Sequence, residues 1–267
     1  MSSRSLPFQR RPGPSPLLGG YYALLIFLLY LPIAILILFS LNANTALAFP
    51  LQGFTWDWYA KALATPSALA AARNSIMVAT SSSFIATALA TMVAVLTARF
   101  TFRGKQLLLS LSLLPLIVPY IVLGIALLLL FAAIGVDRSL VTVGIAHTVI
   151  ALPYAFLIVV ARLGGISPFL EEASADLGAD YPTTLRRVLL PIIAPSIVAA
   201  WLVAFTASFD EFALALFLTG PDPTLPVFIY GQLRFASRLP MLIALASMVM
   251  VGTLLLALLA DRLRRRG

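Results

Sequence analysis

The sequence predicts an all-α integral membrane protein of six transmembrane helices, and three observations carry that prediction. Hydrophobic residues make up 61% of the 267, and the mean hydropathy is +1.02. Charged residues are only 10%, against about 25% in soluble domains. Six apolar runs each reach the roughly 20 residues that a helix needs to cross a hydrocarbon core. Six such runs in so short a chain weigh against the buried helices of a soluble fold.

The first 16 residues are basic and proline-rich, which predicts an unstructured cytosolic tail. The run Leu17–Leu41 is too long for a signal-peptide core and shows no small-x-small cleavage site, so it is expected to stay as an anchor. It opens a segment, 17–72, that continues as a polar connection. Trp56, Trp58 and Tyr59 there suit a membrane–water interface, either on a short amphipathic helix or on a plain loop.

The main bundle is expected over 73–260. Its spans are Asn74–Thr97, Leu107–Ile134, Leu140–Ala161, Pro191–Leu218 and Met241–Ala260, followed by a basic cytoplasmic tail, 261–267. The hydroxyls of Thr80–Ser83 ease helix packing in the first of these. Only Gly135–Arg138 separates the third and fourth spans, so these are expected to be antiparallel neighbours. Pro32, Pro115, Pro119, Pro153 and Pro195 lie inside spans, where each removes a backbone donor and favours a kink.

Charge sets the orientation. Thirteen of the eighteen lysines and arginines fall on the side that holds both termini. The positive-inside rule makes that side cytoplasmic. The net charge of +8 does not point to nucleic acid, because its carriers lie in short clusters between apolar runs and not on one polar face. The chain has no cysteine and one histidine, which excludes disulfides, thiolate sites and multi-histidine metal centres. No phosphate-binding loop occurs; Gly104-Lys105 lacks the leading glycine and the hydroxyl. No catalytic residue, metal or cofactor is therefore expected.

One stretch breaks the apolar pattern: ISPFLEEASADLGADYPTTLRRVLLP, Ile166–Pro191, inside a connection that spans 162–191. It reads as two short cytoplasmic helices. Ser167 can cap the first, with Pro168 in its opening turn and Glu171 and Glu172 at the positive end of its dipole. Gly178 supplies a left-handed terminus. Asp180 and Pro182 open the second helix, and Leu190-Pro191 marks the turn into the fifth span. Leu170, Ala173 and Leu177 share an apolar stripe, while Glu172 and Asp176 share another face. A helix so short is marginal alone, so either its own bundle or a partner must cover it.

These residues resemble a known pattern. Glu172-Ala173-Ser174, then three residues, Gly178, nine residues, Val188, one residue and Leu190-Pro191 is similar to the EAA loop of type I ABC-importer permeases. Ser174 replaces an alanine and Val188 an isoleucine. The segments Leu152–Leu163 and Ser208–Tyr230 further resemble spermidine/putrescine-type permeases. The resemblance implies a type I ABC importer transmembrane domain in a bacterial inner membrane. It also implies that Glu172, Ala173, Ser174, Asp176, Gly178, Leu190 and Pro191 belong to a coupling loop docked on a cytoplasmic ATPase. A second permease chain (a homologue or a second copy), an extracytoplasmic substrate-binding protein and the lipid bilayer complete the implied partners.

Within the membrane, Asp210 and Glu211 are costly residues and the main candidates for a substrate path. They could hand on a polycation, or they could cap a helix break. Phe209 and Phe212 beside them offer cation–π contacts, a gate or ordinary packing. His147 is read as a neutral histidine bonded to a neighbouring helix, since no ionisable partner is evident at its depth. An ion-coupled secondary transporter would call for more intramembrane charge, and an enzyme for a catalytic constellation.

Overall fold

The computed structural model describes residues 16–45 and 48–266 of the chain. The tail expected over 1–16 lies outside the described residues up to Pro16, where the first helix begins. The helices are α1 Pro16–Ser40, α2 Asp57–Ala64, α3 Pro66–Arg99, α4 Lys105–Leu113, α5 Tyr120–Ala133, α6 Leu140–Gly164, α7 Phe169–Asp176, α8 Tyr181–Thr184, α9 Leu190–Phe209, α10 Ala213–Leu218, α11 Leu225–Gln232 and α12 Leu239–Arg266. Five stretches are long and apolar enough to cross a membrane: Leu17–Ser40, Pro66–Arg99, Leu140–Gly164, Tyr181–Phe209 and Ala236–Leu263. A bent helix pair makes a sixth when its two arms are counted as one span.

The predicted third span is that pair. Lys105–Leu116 and Tyr120–Ala133 meet at 108°, where a continuous Leu107–Ile134 helix was expected. Two prolines make the break. Pro119 has no N–H to return to the carbonyl of Pro115, and it takes an extended ψ of 131°. The short 135–138 turn does join α5 to α6, yet α5 packs chiefly on α10, which wedges between them. Gly124 of α5 allows this close approach. A Cβ there would lie 2.9 Å from the Phe217 ring.

The fifth span differs at both ends. Its helix starts at Tyr181, passes through a wide π-turn at Leu185–Leu189 and runs on as α9. Leu190-Pro191 is thus inside a helix and not at a turn into one. The Leu190 N–H returns to the Leu185 carbonyl, and this local shift of the ladder falls just before Pro191, which has no N–H to donate. The helix stops at Phe209 and not at Leu218, and α10 follows as a separate element.

The centre of the bundle is α3, α6 and α9. Ala86, Ala90 and Ala94 recur along one face of α3 and pack with Ala151 and Ala155 of α6, all fully buried. In lipid, apolar surface gains little by leaving the solvent, so small residues that let backbones approach favour association. The outward faces stay apolar and exposed, as at Phe84, Ile85 and Met92 of α3. The first half of α1 is exposed on all sides, and its second half leans on α12.

The aromatic connection after α1 does form a short helix, α2. Tyr59 shares a 2.6 Å hydrogen bond with Ser40, and the Trp58 indole N–H donates to the Asn42 carbonyl at 2.8 Å. These bonds fold the connection back over the end of α1. The α2 end of the bundle lies opposite the end that carries α7, because α3 runs from one to the other.

Candidate functional site

Two places on the chain carry the chemistry that the sequence singled out. The first is the break between α9 and α10. Asp210 closes α9, its N–H returning to Thr206 O at 3.1 Å. Glu211 then turns inward and accepts from the Leu214 N–H at 2.9 and 3.0 Å and from the Ala215 N–H at 3.1 Å. Its carboxylate therefore satisfies the opening donors of α10, which no water could reach here. This is the helix-break capping that the sequence left open for the pair.

A buried polar chain continues from that cap. Glu211 Oε2 lies 3.3 Å from His147 Nε2 of α6. His147 Nδ1 is 2.8 Å from the Ser208 hydroxyl of α9, which is 2.9 Å from the Ser82 hydroxyl of α3. All four side chains are buried. His147 does bond to a neighbouring helix, and of the Thr80–Ser83 hydroxyls expected to ease packing Ser82 reaches another helix, while Thr80 and Ser81 are exposed. The sequence missed that Glu211 is an ionisable partner at the same depth, because the two residues are 64 positions apart in sequence.

Asp210 and Glu211 thus separate. Asp210 has no hydrogen bond or ion pair from its carboxylate among the described residues, and it lines a cavity of about 400 Å³ between α9, α11 and α12. Phe209 and Phe212 line the same space, so three of the four residues expected on the substrate path come together there. Tyr230 of α11 joins them, its ring 4.9 Å from that of Phe212. Phe205 and Phe209 stack at 5.7 Å along α9. Tyr230 went unremarked in the sequence; the only signal was its place one turn beyond Pro226 on a short apolar helix.

The second place is the insert. α7 and the Leu177 that follows it present Phe169, Leu170 and Leu177 to solvent at 74, 45 and 89% exposure. The apolar stripe is therefore not folded back on its own bundle. Glu172, Ala173 and Asp176 are exposed as well. Gly178 adopts the expected left-handed conformation, φ +81°, and completes a Schellman terminus in which Ala179 N–H returns to Ser174 O at 3.1 Å.

Asp180 caps α8 as expected, accepting from Thr183 N at 3.1 Å. Hydrogen bonding from Thr183 holds that carboxyl below the usual carboxylate range. Ser167 makes no side-chain cap; only its carbonyl takes part, accepting from Leu170 N. Ser174, the departure from the EAA pattern, shares a 2.8 Å bond with the buried Thr184 and ties α7 to α8. Arg99, at the end of α3, reaches Glu171 with Nε 2.6 Å from Oε1.

Among the described residues no group of three or more histidines, cysteines or acids could hold a metal ion. Residues 86–266 match the family described as binding-protein-dependent transport system inner membrane component. The spermidine/putrescine transport system permease protein PotC of Escherichia coli (strain K12) is 33% identical over 248 residues, covering 92% of this chain and 93% of that one. The putrescine transport system permease protein PotI of the same strain is 32% identical over 230 residues, covering 83% and 81%. Among solved structures, a chain of a bacterial ABC transporter that imports the acidic polysaccharide alginate superposes with a TM-score of 0.69 at 17% identity, over 94% of this chain and 93% of that one. A chain of the MetNI methionine ABC transporter does so with 0.61 at 19% identity, over 72% and 92%. These two likenesses establish the fold.

Proposed function

This chain belongs to the binding-protein-dependent transport system inner membrane components, the permease subunits of ABC importers, and on that premise we propose that its cargo is a polyamine. The relatives PotC and PotI carry spermidine or putrescine in their names. The observation that carries the reading within this chain is the cavity at the α9 break. Asp210 is a carboxylate without an internal partner, set among Phe209, Phe212 and Tyr230. A carboxylate attracts one ammonium group, and aromatic faces add about 0.5–2 kcal/mol per desolvated cation. The volume falls within the roughly 300–1,000 Å³ of small-molecule sites. Glu211 serves the path indirectly, by holding the break that leaves Asp210 facing the cavity.

The energy source is a separate ATPase subunit, and α7 is its docking element with both chain termini on the same, cytoplasmic, side. Support comes from the exposed Leu170 and Leu177 beside exposed Glu172, Asp176 and the small Ala173. An apolar centre with a charged rim is the anatomy of a protein interface. A second permease chain and an extracytoplasmic binding protein complete the assembly.

The test is uptake of labelled spermidine into proteoliposomes holding the complete importer. Asp210→Asn removes the charge and keeps the shape, and uptake is expected to fall about tenfold, the factor for one lost charged contact of about 1.4 kcal/mol. Unchanged uptake would take Asp210 off the path.

A further inference from the structure

We infer that α3 is a strut that carries movement of α7 to the Asp210 cavity, with the Arg99–Glu171 ion pair as its joint. The inference rests on the reading of α7 as a docking element and adds a route for its motion. The helices joined to α7 by the chain itself are α6 and α8–α9. Both carry features that α3 lacks: α6 runs unbroken but contains Pro153, and the α8–α9 helix contains Pro195 and the π-turn at Leu185–Leu189. Internal prolines and π-turns are the places where helices yield most readily to a kink. By contrast α3 is a single helix of 34 residues with no glycine and no proline beyond its first position. Its length of about 50 Å at 1.5 Å per residue joins both ends of the bundle.

Each end of α3 grips a different partner through polar contacts. At the α7 end, Arg99 Nε meets Glu171 Oε1 at 2.6 Å, and its Nη2 donates to the Leu163 carbonyl of α6 at 3.2 Å. The two side chains are 16 and 21% exposed, so the pair is sheltered from competing water and salt. Phe100, the next residue, sets its ring edge-on to Tyr181 at 5.0 Å, holding the far side of the insert. At the α2 end, Asn74 Nδ2 donates to Pro223 O at 3.0 Å and Ser75 Oγ accepts from Leu225 N at 2.8 Å.

Leu225 opens α11, which supplies Pro226, Ile229 and Tyr230 to the cavity around Asp210. A rigid shift of α3 therefore acts on the cavity from two sides, on α11 through Leu225 and on α9 through the Ser82–Ser208 bond beside Asp210. Packed helices transmit such shifts as small rigid-body displacements, because close-packed cores deform little. Glu171 thus has a different task from its neighbour Glu172: it faces its own bundle, while Glu172 is free to meet a partner.

The experiment compares uptake per ATP hydrolysed in the complete importer, together with co-purification of the ATPase subunit. In Glu171→Gln the ATPase is expected to co-purify as in the unaltered chain, while spermidine imported per ATP falls about tenfold. Arg99→Glu combined with Glu171→Arg is expected to restore the ratio to within about twofold, a rescue that a loss of packing alone would not show. Ser75→Ala, at the other end of the strut, is expected to lower the same ratio without changing ATPase binding. Undiminished coupling in Glu171→Gln, failure of the exchanged pair to rescue, or loss of ATPase binding in Glu171→Gln would each overturn the strut. Failure of the unaltered chain to bind an ATPase would instead overturn the docking reading, and it is seen without any variant.

Discussion

Replacing Glu211 with alanine strips the cap from α10 and leaves the N–H groups of Leu214 and Ala215 without an acceptor. Both residues are fully buried, so water does not take over. Each orphaned buried donor costs about 1–3 kcal/mol, which puts the loss near 3 kcal/mol for the two, before any effect on His147. For a chain of this size, each kcal/mol lowers the melting temperature by about 2–4 °C. Glu211→Ala in detergent is therefore expected to melt about 6–12 °C below the unaltered protein in a fluorescence-monitored thermal scan. Glu211→Gln keeps one acceptor oxygen and is expected to lose about half as much. Asp210→Asn, one residue away, removes no intramolecular bond and should melt within about 1 °C of the unaltered protein. The separation of two adjacent acids into a structural and a transport role fails if Glu211→Ala melts within about 2 °C of the unaltered protein, or if Asp210→Asn falls as far.

Glu172→Arg is expected to abolish uptake and ATPase co-purification with no change in melting temperature, since the Glu172 side chain makes no ion pair or hydrogen bond among the described residues. Normal uptake by that variant would refute the docking assignment. Ala90→Leu overpacks the α3–α6 contact and is expected to cost about 1–3 kcal/mol, read as a lower melting temperature. Gly220→Ala places a Cβ 2.5 Å from the Arg138 carbonyl oxygen, so the turn before α11 must part from the start of α6. A drop of several degrees is expected there, and an unchanged scan would show that the two loops do not touch.

Much of this arrangement was readable along the chain because its causes are local. Apolar run length marks a span, and five of the six expected spans have a helix long and apolar enough to cross, while the other is a pair bent by 108°. The Gly178 terminus and the Asp180 cap follow from the conformational freedom of one residue and the reach of one carboxylate, both within four positions. The α7 pattern, with its exposed Leu170 and Leu177, likewise needs only a helical period to recognise. Where the reading went astray, prolines and tertiary contacts competed. Pro119 turned a kink into a 108° break, and Glu211 ended a span that hydropathy alone would have carried to Leu218.

The sequence by itself determined the class of protein, its spans and the charged insert between the fourth and fifth, since hydropathy and helix termini are properties of neighbours. Only the tertiary structure decided what each acid does. Glu171 meets Arg99 from 72 positions away, Glu211 meets His147 from 64, and Asp210 is left facing a largely apolar cavity. Such assignments depend on which helix faces which, a choice made by the small-residue packing of α3 against α6 and α9. A carboxylate at one position in the chain is chemically the same as at the next; the packing around it determines whether it caps a helix, pairs with a base or faces a cavity.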